Sequence, residues 1–341
     1  MAKYLGEKDY QHGSSEKTGI LITNLGTPDA PTANALKPYL KEFLSDPRVI
    51  EIPKFIWRII LNLIILQIRP RRSAKNYKKI WTDDGSPLLH ISKAQVRLVE
   101  EQLNRDFPNT VFALAMRYGN PSIKSSLTKL QNQQVRRLLI FPLYPQYCAA
   151  TTGSTFDAVS TILQKWRWIP EVRFINQYFE EDLFIKAIAN SIKKAENEHG
   201  KPQKIVFSYH GIPKKYLLEG DPYHCFCLKT TRLVREHLKY KEEDVMTTFQ
   251  SRFGSQEWLQ PYTDETLKKL PNEGIKSIHI ISPGFSSDCL ETLEELKEEN
   301  KEYFMEAGGT SYKYIPCLND NLDHIEMIKH LIRKHTQGWK I

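Results

Sequence analysis

Lys204-Ile205-Val206-Phe207-Ser208-Tyr209-His210-Gly211-Ile212-Pro213 is the stretch on which the reading of this chain turns. The run from Lys204 to Tyr209 is β-rich and delivers a histidine to the point where the strand must stop. Gly211 allows a sharp turn there, and Pro213 forbids continuation. In an open α/β sheet, side chains at the carboxyl ends of strands face the ligand crevice. His210 is thus placed at the mouth of a cleft, with an imidazole able to bind metal or accept a proton near neutral pH. On this stretch alone, a histidine that merely caps a turn by hydrogen bonds is the reading to beat.

The form recurs. Ile20-Leu21-Ile22-Thr23-Asn24-Leu25-Gly26-Thr27-Pro28 repeats the strand, the glycine and the terminating proline. Leu138-Leu139-Ile140-Phe141-Pro142 likewise mirrors Ile278-His279-Ile280-Ile281-Ser282-Pro283. Strands are expected over 19–25, 110–116, 136–143 and 172–175, then over 204–210, 245–250, 278–282 and 312–315, with helices between them. Strand, polar turn, helix and strand in repetition signal a parallel sheet with helical crossovers. The fold class is α/β, a duplicated Rossmann-like unit. Its domains are a flexible polar tail over 1–18, a first α/β domain over 19–180 and a second over 181–321. A terminal helix over 322–336 packs back on the body. Neither copy has a GxGxxG or Walker lysine, so nucleotide phosphate binding lacks its usual mechanics. The cleft between two such domains is the default ligand site.

Length supports this division, because 341 residues exceed one ordinary core. Apolar content of 40% and charged content of 26% describe a soluble globular protein. A formal charge of +8 favours acidic ligands, an anionic membrane surface or nucleic acid. Five cysteines with no CxxC pair fit a reducing cytoplasm. The polar start shows no secretory signal, and no run reaches the ~18 to 20 apolar residues needed to cross a bilayer. One segment is unusual: Phe55 to Ile68 is strongly apolar and is flanked by Lys54 and by Arg69, Arg71 and Arg72. It reads as an interfacial helix or an apolar lip over 53–68 beside a pocket, against the alternative of a core helix.

A second stretch carries chemistry. Glu291, Glu295 and Glu299 recur every four residues, which sets three carboxylates along one helix face. Such oxygens could guide a divalent cation, and His210 would add a nitrogen. Asp288 and Glu291 also fit a capping box, with the later glutamates a solvated face. Cys225 and Cys227 lack the usual zinc spacing, so no stored metal is expected there. Arg117 and Tyr118, at a strand end, could bind an anionic group or pair locally. Trp166-Arg167-Trp168 reads as packing rather than base stacking.

These two stretches, with others, resemble the ferrochelatases, which insert ferrous iron into a porphyrin. The likeness runs from about Leu21 to Asn319. It rests on Asn24-Leu25-Gly26-Thr27-Pro28, Gly85-Ser86-Pro87-Leu88, Met116-Arg117-Tyr118, Tyr144-Pro145-Gln146-Tyr147 and Thr151-Thr152-Gly153-Ser154. Further on come Ser208-Tyr209-His210-Gly211-Ile212-Pro213, Phe249-Gln250-Ser251-Arg252-Phe253-Gly254, Trp258-Leu259, Pro283-Gly284-Phe285 and Ser287-Asp288-Cys289-Leu290-Glu291-Thr292-Leu293. The resemblance implies two similar four-stranded parallel-sheet domains clamping a porphyrin. His210 and Glu291 would be the essential catalytic and metal-handling pair, with Glu295 and Glu299 continuing an iron or proton path. Leu25, Arg117, Tyr118, Ser208 and Trp258 would contact the substrate, and Arg69, Arg71, Arg72 or Arg117 could meet its propionates. An apolar Leu25 tilts the choice toward protoporphyrin IX over coproporphyrin, which other members take. The Phe55 to Ile68 lip would touch a membrane, at the inner face of a cytoplasmic compartment. Iron is substrate, and no cofactor is stored. No iron-sulfur cluster is expected, since no cysteine follows Cys317. A monomer without nucleic acid is expected. A coproporphyrin chelatase and a non-catalytic tetrapyrrole-binding protein are the alternatives.

Overall fold

The eight strands form two separate four-stranded sheets in the computed structural model, which describes residues 4–7, 10–254 and 256–339. The first contains β1 (Lys17–Thr27), β2 (Thr110–Gly119), β3 (Val135–Pro142) and β4 (Glu171–Phe174), in the order β2-β1-β3-β4. The second contains β5 (Lys204–His210), β6 (Val245–Gln250), β7 (Ser277–Ile281) and β8 (Ser311–Ile315), in the order β6-β5-β7-β8. Every pairing is parallel. The internal rhyme of the sequence is thus a rhyme of position. β1 and β5 both occupy the second place in their sheets, and β3 and β7 both the third.

Parallel strands covered on both faces read as continuous apolar runs, because neither face meets water. Ile20, Leu21 and Ile22 have no exposed surface, and neither do Val206 and Phe207. In the first unit Leu21, Leu138, Ile140, Val159, Leu163 and Trp166 share one core. In the second, Val206, Ile278, Ile280, Leu296, Phe304 and Tyr312 do the same.

The first unit comprises 1–143, 149–176 and 325–341, and the second 144–148 and 177–324. Most of the terminal helix Leu322–His335 therefore counts with the first unit. Lys329 reaches Gln102 at 2.8 Å, Arg333 reaches Asp106 at 2.6 Å, and the Trp339 indole donates to Glu171 at 2.7 Å.

Of the expected flexible tail over 1–18, residues 1–3, 8 and 9 lie outside the described residues, and two of the described ones are tied down. Leu5 exchanges backbone hydrogen bonds with Lys165 and Arg167, and Glu7 holds Arg136 in a fork at 2.7 and 2.8 Å. The cause lies on β3: Arg136 is buried, so its charge needs a partner drawn out of water. Its guanidinium also lies 4.1 Å over the Trp168 ring, giving that tryptophan a packing role.

The apolar segment is a helix in three parts, Lys54–Ile60, a π turn over Leu61–Ile65, and Leu66–Ile80. Phe55, Leu63 and Ile68 are 77%, 70% and 66% exposed, so a core helix is excluded. No helix among the described residues is long and apolar enough to cross a membrane.

Candidate active site

The order β6-β5-β7-β8 reverses direction between β5 and β7, and the carboxyl ends flanking such a switch point form the usual ligand crevice. His210 is the last residue of β5 and is partly buried. Its Nδ1 lies 2.7 Å from the Gly211 carbonyl oxygen. A carbonyl can only accept, so Nδ1 carries the hydrogen, and the neutral ring keeps its lone pair on Nε2. The Phe285 ring stands edge-on to the imidazole at 6.4 Å. Gly211 is needed for space rather than for an unusual turn. A Cβ there would meet the Gln250 carbonyl at 2.9 Å and the Trp258 ring at 3.2 Å. At the matching place on β1, Gly26 has φ of +115°, and a Cβ would sit 1.8 Å from the Tyr118 carbonyl.

Glu291 opens a π-helix, Glu291–Glu299, rather than an α-helix. Its hydrogen bonds reach one residue further than in an α-helix, so a step of four falls just short of a turn instead of just beyond it. The three glutamates still follow one side. The capping box is replaced by a buried hub: Asp288 accepts from Thr292 at 3.1 Å, from Tyr314 at 2.5 Å and from the Asn319 amide at 2.7 Å.

One residue the sequence left without a role ties strand to helix. Gln250, at the end of β6, accepts from Gly211 N–H at 2.7 Å through its carbonyl and from the Ser208 hydroxyl at 2.7 Å through its side chain. Its amide then donates to the Glu291 carbonyl at 2.9 Å. The backbone carrying His210 and the backbone carrying Glu291 are thereby braced by one buried residue. Ser208 itself is fully buried, with its hydroxyl committed to Gln250 and Thr263, so it supports the site from behind. Trp258 is partly exposed, with its indole N–H held by the Phe253 carbonyl at 2.8 Å.

Glu295 and Glu299 open into a cavity of about 220 Å³ that Phe249, Gln250, Arg252 and Asp264 also line. Glu295 accepts from both the N–H and the hydroxyl of Ser251. Burial pushes its carboxyl up to about 7; the Ser251 hydrogen bonds oppose the shift, and the neighbouring Glu291 charge adds to it. Glu295 can therefore take or give a proton near neutrality. Glu299 accepts from Tyr303 at 2.5 Å and is exposed. Among the described residues no group of three His, Cys, Asp or Glu side chains is gathered to hold a metal ion.

A raised carboxyl binds its proton more tightly in the folded than in the unfolded chain. Stability therefore falls as pH climbs from the unfolded value near ~4.3 through about 7. Glu295→Gln is expected to add on the order of 2 kcal/mol at pH 8 and almost nothing at pH 4. Thermal unfolding at both pH values checks this, and equal shifts at the two would contradict it.

In the first unit, Leu25 is partly exposed near the end of β1. Arg117 and Tyr118, at the end of β2, turn inward to Asp46. Arg117 reaches its carboxylate at 2.5 Å, Tyr118 donates to it at 2.8 Å, and Ser154 donates at 2.6 Å. Tyr118 is fully buried and presents no surface to a ligand in this arrangement; burial raises its phenol. Arg69, Arg71 and Arg72 lie on the helix Leu66–Ile80, the last two exposed.

Two parallel sheets of one strand order, with a histidine and a row of carboxylates beyond the switch point of the second, define a chelatase-like α/β protein. SirB from Bacillus subtilis with Fe3+ is similar over 94% of this chain and 96% of its own, with a TM-score of 0.57 at 11% identity. CbiX, described as the terminal enzyme for biosynthesis of siroheme in denitrifying bacteria, covers 93% and 98% at a TM-score of 0.51 and 12% identity. At such identities the likeness speaks for the fold alone. A profile of the ferrochelatase family matches residues 17–336. The ferrochelatase of Hydrogenovibrio crunogenus is 56% identical over 99% of this chain and 90% of its own length, and that of Idiomarina loihiensis 54% over 99% and 93%. The chain belongs to the ferrochelatase family, and it is an enzyme of metal insertion into a porphyrin.

Proposed function

We propose that this chain inserts ferrous iron into protoporphyrin IX and releases two protons, with His210 and Glu291 facing the macrocycle nitrogens. The observation that carries the reading is the contact of His210 Nδ1 with the Gly211 carbonyl at the end of β5. That nitrogen is thereby occupied, which leaves Nε2 as a base at the carboxyl end of the strand. A flat porphyrin hides its nitrogen lone pairs, so a site that favours a puckered ring lies nearer the transition state. Each departing pyrrole proton needs a base, and His210 with Glu291 supplies two. Glu295, its carboxyl raised to about 7, lies on the same π-helix, and on this reading it passes protons on toward the cavity it lines with Glu299. Leu25 offers an apolar contact and Trp258 a ring face, while Arg117, Tyr118 and Ser208 hold these elements in place.

The exposed Phe55 to Ile68 face supports peripheral contact with a membrane, where an apolar porphyrin partitions. On this reading the chain works as a monomer in the cytoplasm, at the inner face, and iron passes through without a resident cofactor. Mixing the protein anaerobically with ferrous iron and protoporphyrin IX is expected to produce the haem spectrum over many turnovers. A preference for coproporphyrin III would overturn the substrate, and a single stoichiometric binding event without turnover would overturn the enzyme.

A further inference from the structure

The charge of this protein is concentrated in one place. The stretch 54–80 contains eight lysines and arginines and no aspartate or glutamate, whereas the whole chain has 48 basic and 40 acidic residues. Outside these 27 positions, basic and acidic residues balance at 40 each, so the formal charge of +8 belongs to this segment alone.

The segment is also the most apolar exposed surface of its unit, and the π turn explains how both can be true. From Trp57 to Ala74 its buried residues are Trp57, Leu61, Leu66, Pro70 and Ala74. They follow one another in steps of four, except for a step of five across Leu61–Ile65. In an uninterrupted α-helix the buried stripe continuing from Leu61 would pass through Ile64 or Ile65 and Ile68. The extra residue in the π turn hands burial to Leu66 and Pro70 and turns Ile64 and Ile68 outward. They join Phe55, Ile56, Ile59 and Leu63 in one exposed apolar band. Arg58, Arg71, Arg72, Lys75 and Lys78 are exposed, and none enters an ion pair among the described residues.

Resting on the peripheral-membrane reading above, we infer that this segment is a docking surface selective for an anionic bilayer. The apolar band enters the boundary of headgroups and acyl chains, and the unpaired cations meet lipid phosphates. Charge complementarity argues for that occupant. A neutral bilayer would leave the cations without partners, and a nucleic acid would leave the apolar band in water.

The test is flotation of the whole protein with vesicles of phosphatidylcholine, and with vesicles in which part is replaced by phosphatidylglycerol. The mixed vesicles are expected to bind far more strongly, with affinity falling as salt rises. An Arg58→Gln, Lys75→Gln, Lys78→Gln variant should lose about a hundredfold toward the mixed vesicles, from about 1 kcal/mol per basic residue at the surface. A Leu63→Ser, Ile64→Ser, Ile68→Ser variant should lose binding to both. All these positions are exposed, so unchanged thermal midpoints are expected to accompany both losses. Equal binding to the two vesicle types would overturn the inference and leave membrane contact standing. No binding to either would remove both. Capture by a DNA duplex as tight as by mixed vesicles, and indifferent to the serine variant, would reassign the surface to nucleic acid.

Discussion

His210→Ala is expected to lower the rate of ferrous iron insertion by about a hundred- to ten-thousand-fold, the range that one positioned acid–base group supplies. The fold should survive it. The imidazole is only partly buried, touches the Gly211 carbonyl and the edge of Phe285, and leaves no buried charge behind when removed. The thermal midpoint should therefore move little, and porphyrin binding, read by fluorescence quenching, should persist. The loss belongs in kcat, because a base that removes pyrrole protons acts on the transition state and not on the bound ground state. Imidazole added in solution should recover part of the rate, since the side chain it replaces is only partly buried. Glu291→Gln should fall in the same range, keeping shape and losing charge. A His210→Ala enzyme with more than about a tenth of its activity would take the histidine out of the chemistry.

The parts of this molecule written locally are the parts the sequence shows. Buried parallel strands are runs of apolar residues with glycine or proline at their ends, so the strand positions, the duplication and the place of His210 at the end of β5 can all be read from one dimension. That the two sheets share one strand order then follows from the repeat. What could not be read depends on partners distant in the chain or on hydrogen-bond geometry. Asp46 looks like the residue that stops a helix before Pro47, because its real partners, Arg117 and Ser154, lie 71 and 108 positions away. Glu7 is 129 positions from Arg136, so this part of the start reads as loose although Glu7 is held. The π-helix at Glu291–Glu299 is invisible for another reason: no residue preference separates α from π winding, and the row of glutamates fits both. Gln250 stands inside a recognised stretch, yet its bracing role exists only once β5, β6 and the helix after β7 are brought to one edge.

Asp46→Asn should cost the first unit about 3 to 5 kcal/mol, the usual cost of removing one member of a buried ion pair. Asp46 gathers four donors: the Arg117 guanidinium, the Tyr118 and Ser154 hydroxyls, and the Arg48 N–H. Burial alone would raise this carboxyl, but the hydrogen bonds from Ser154, Arg48 and Tyr118 and the Arg117 charge together hold it below its ordinary value. An asparagine keeps the size and loses the charge, leaving Arg117, whose side chain is only 16% exposed, without its counter-ion. The pH dependence has a definite sign. A depressed carboxyl contributes stability that is present above its unfolded value near ~3.9 and is lost as pH falls through the lower folded one. The native protein should therefore weaken steeply in acid over that window, and the variant, already without the contribution, less steeply. Arg117→Gln combined with Asp46→Asn should cost less than the two single changes added together, because the second removes a charge that the first has stranded. Strict additivity, or an Asp46→Asn midpoint within about 0.5 kcal/mol of the parent, would show that the cluster holds Arg117 weakly. The guanidinium would then be free to turn outward to a propionate. A large coupling would instead identify the cluster as the anchor that fixes the end of β2 beside Leu25.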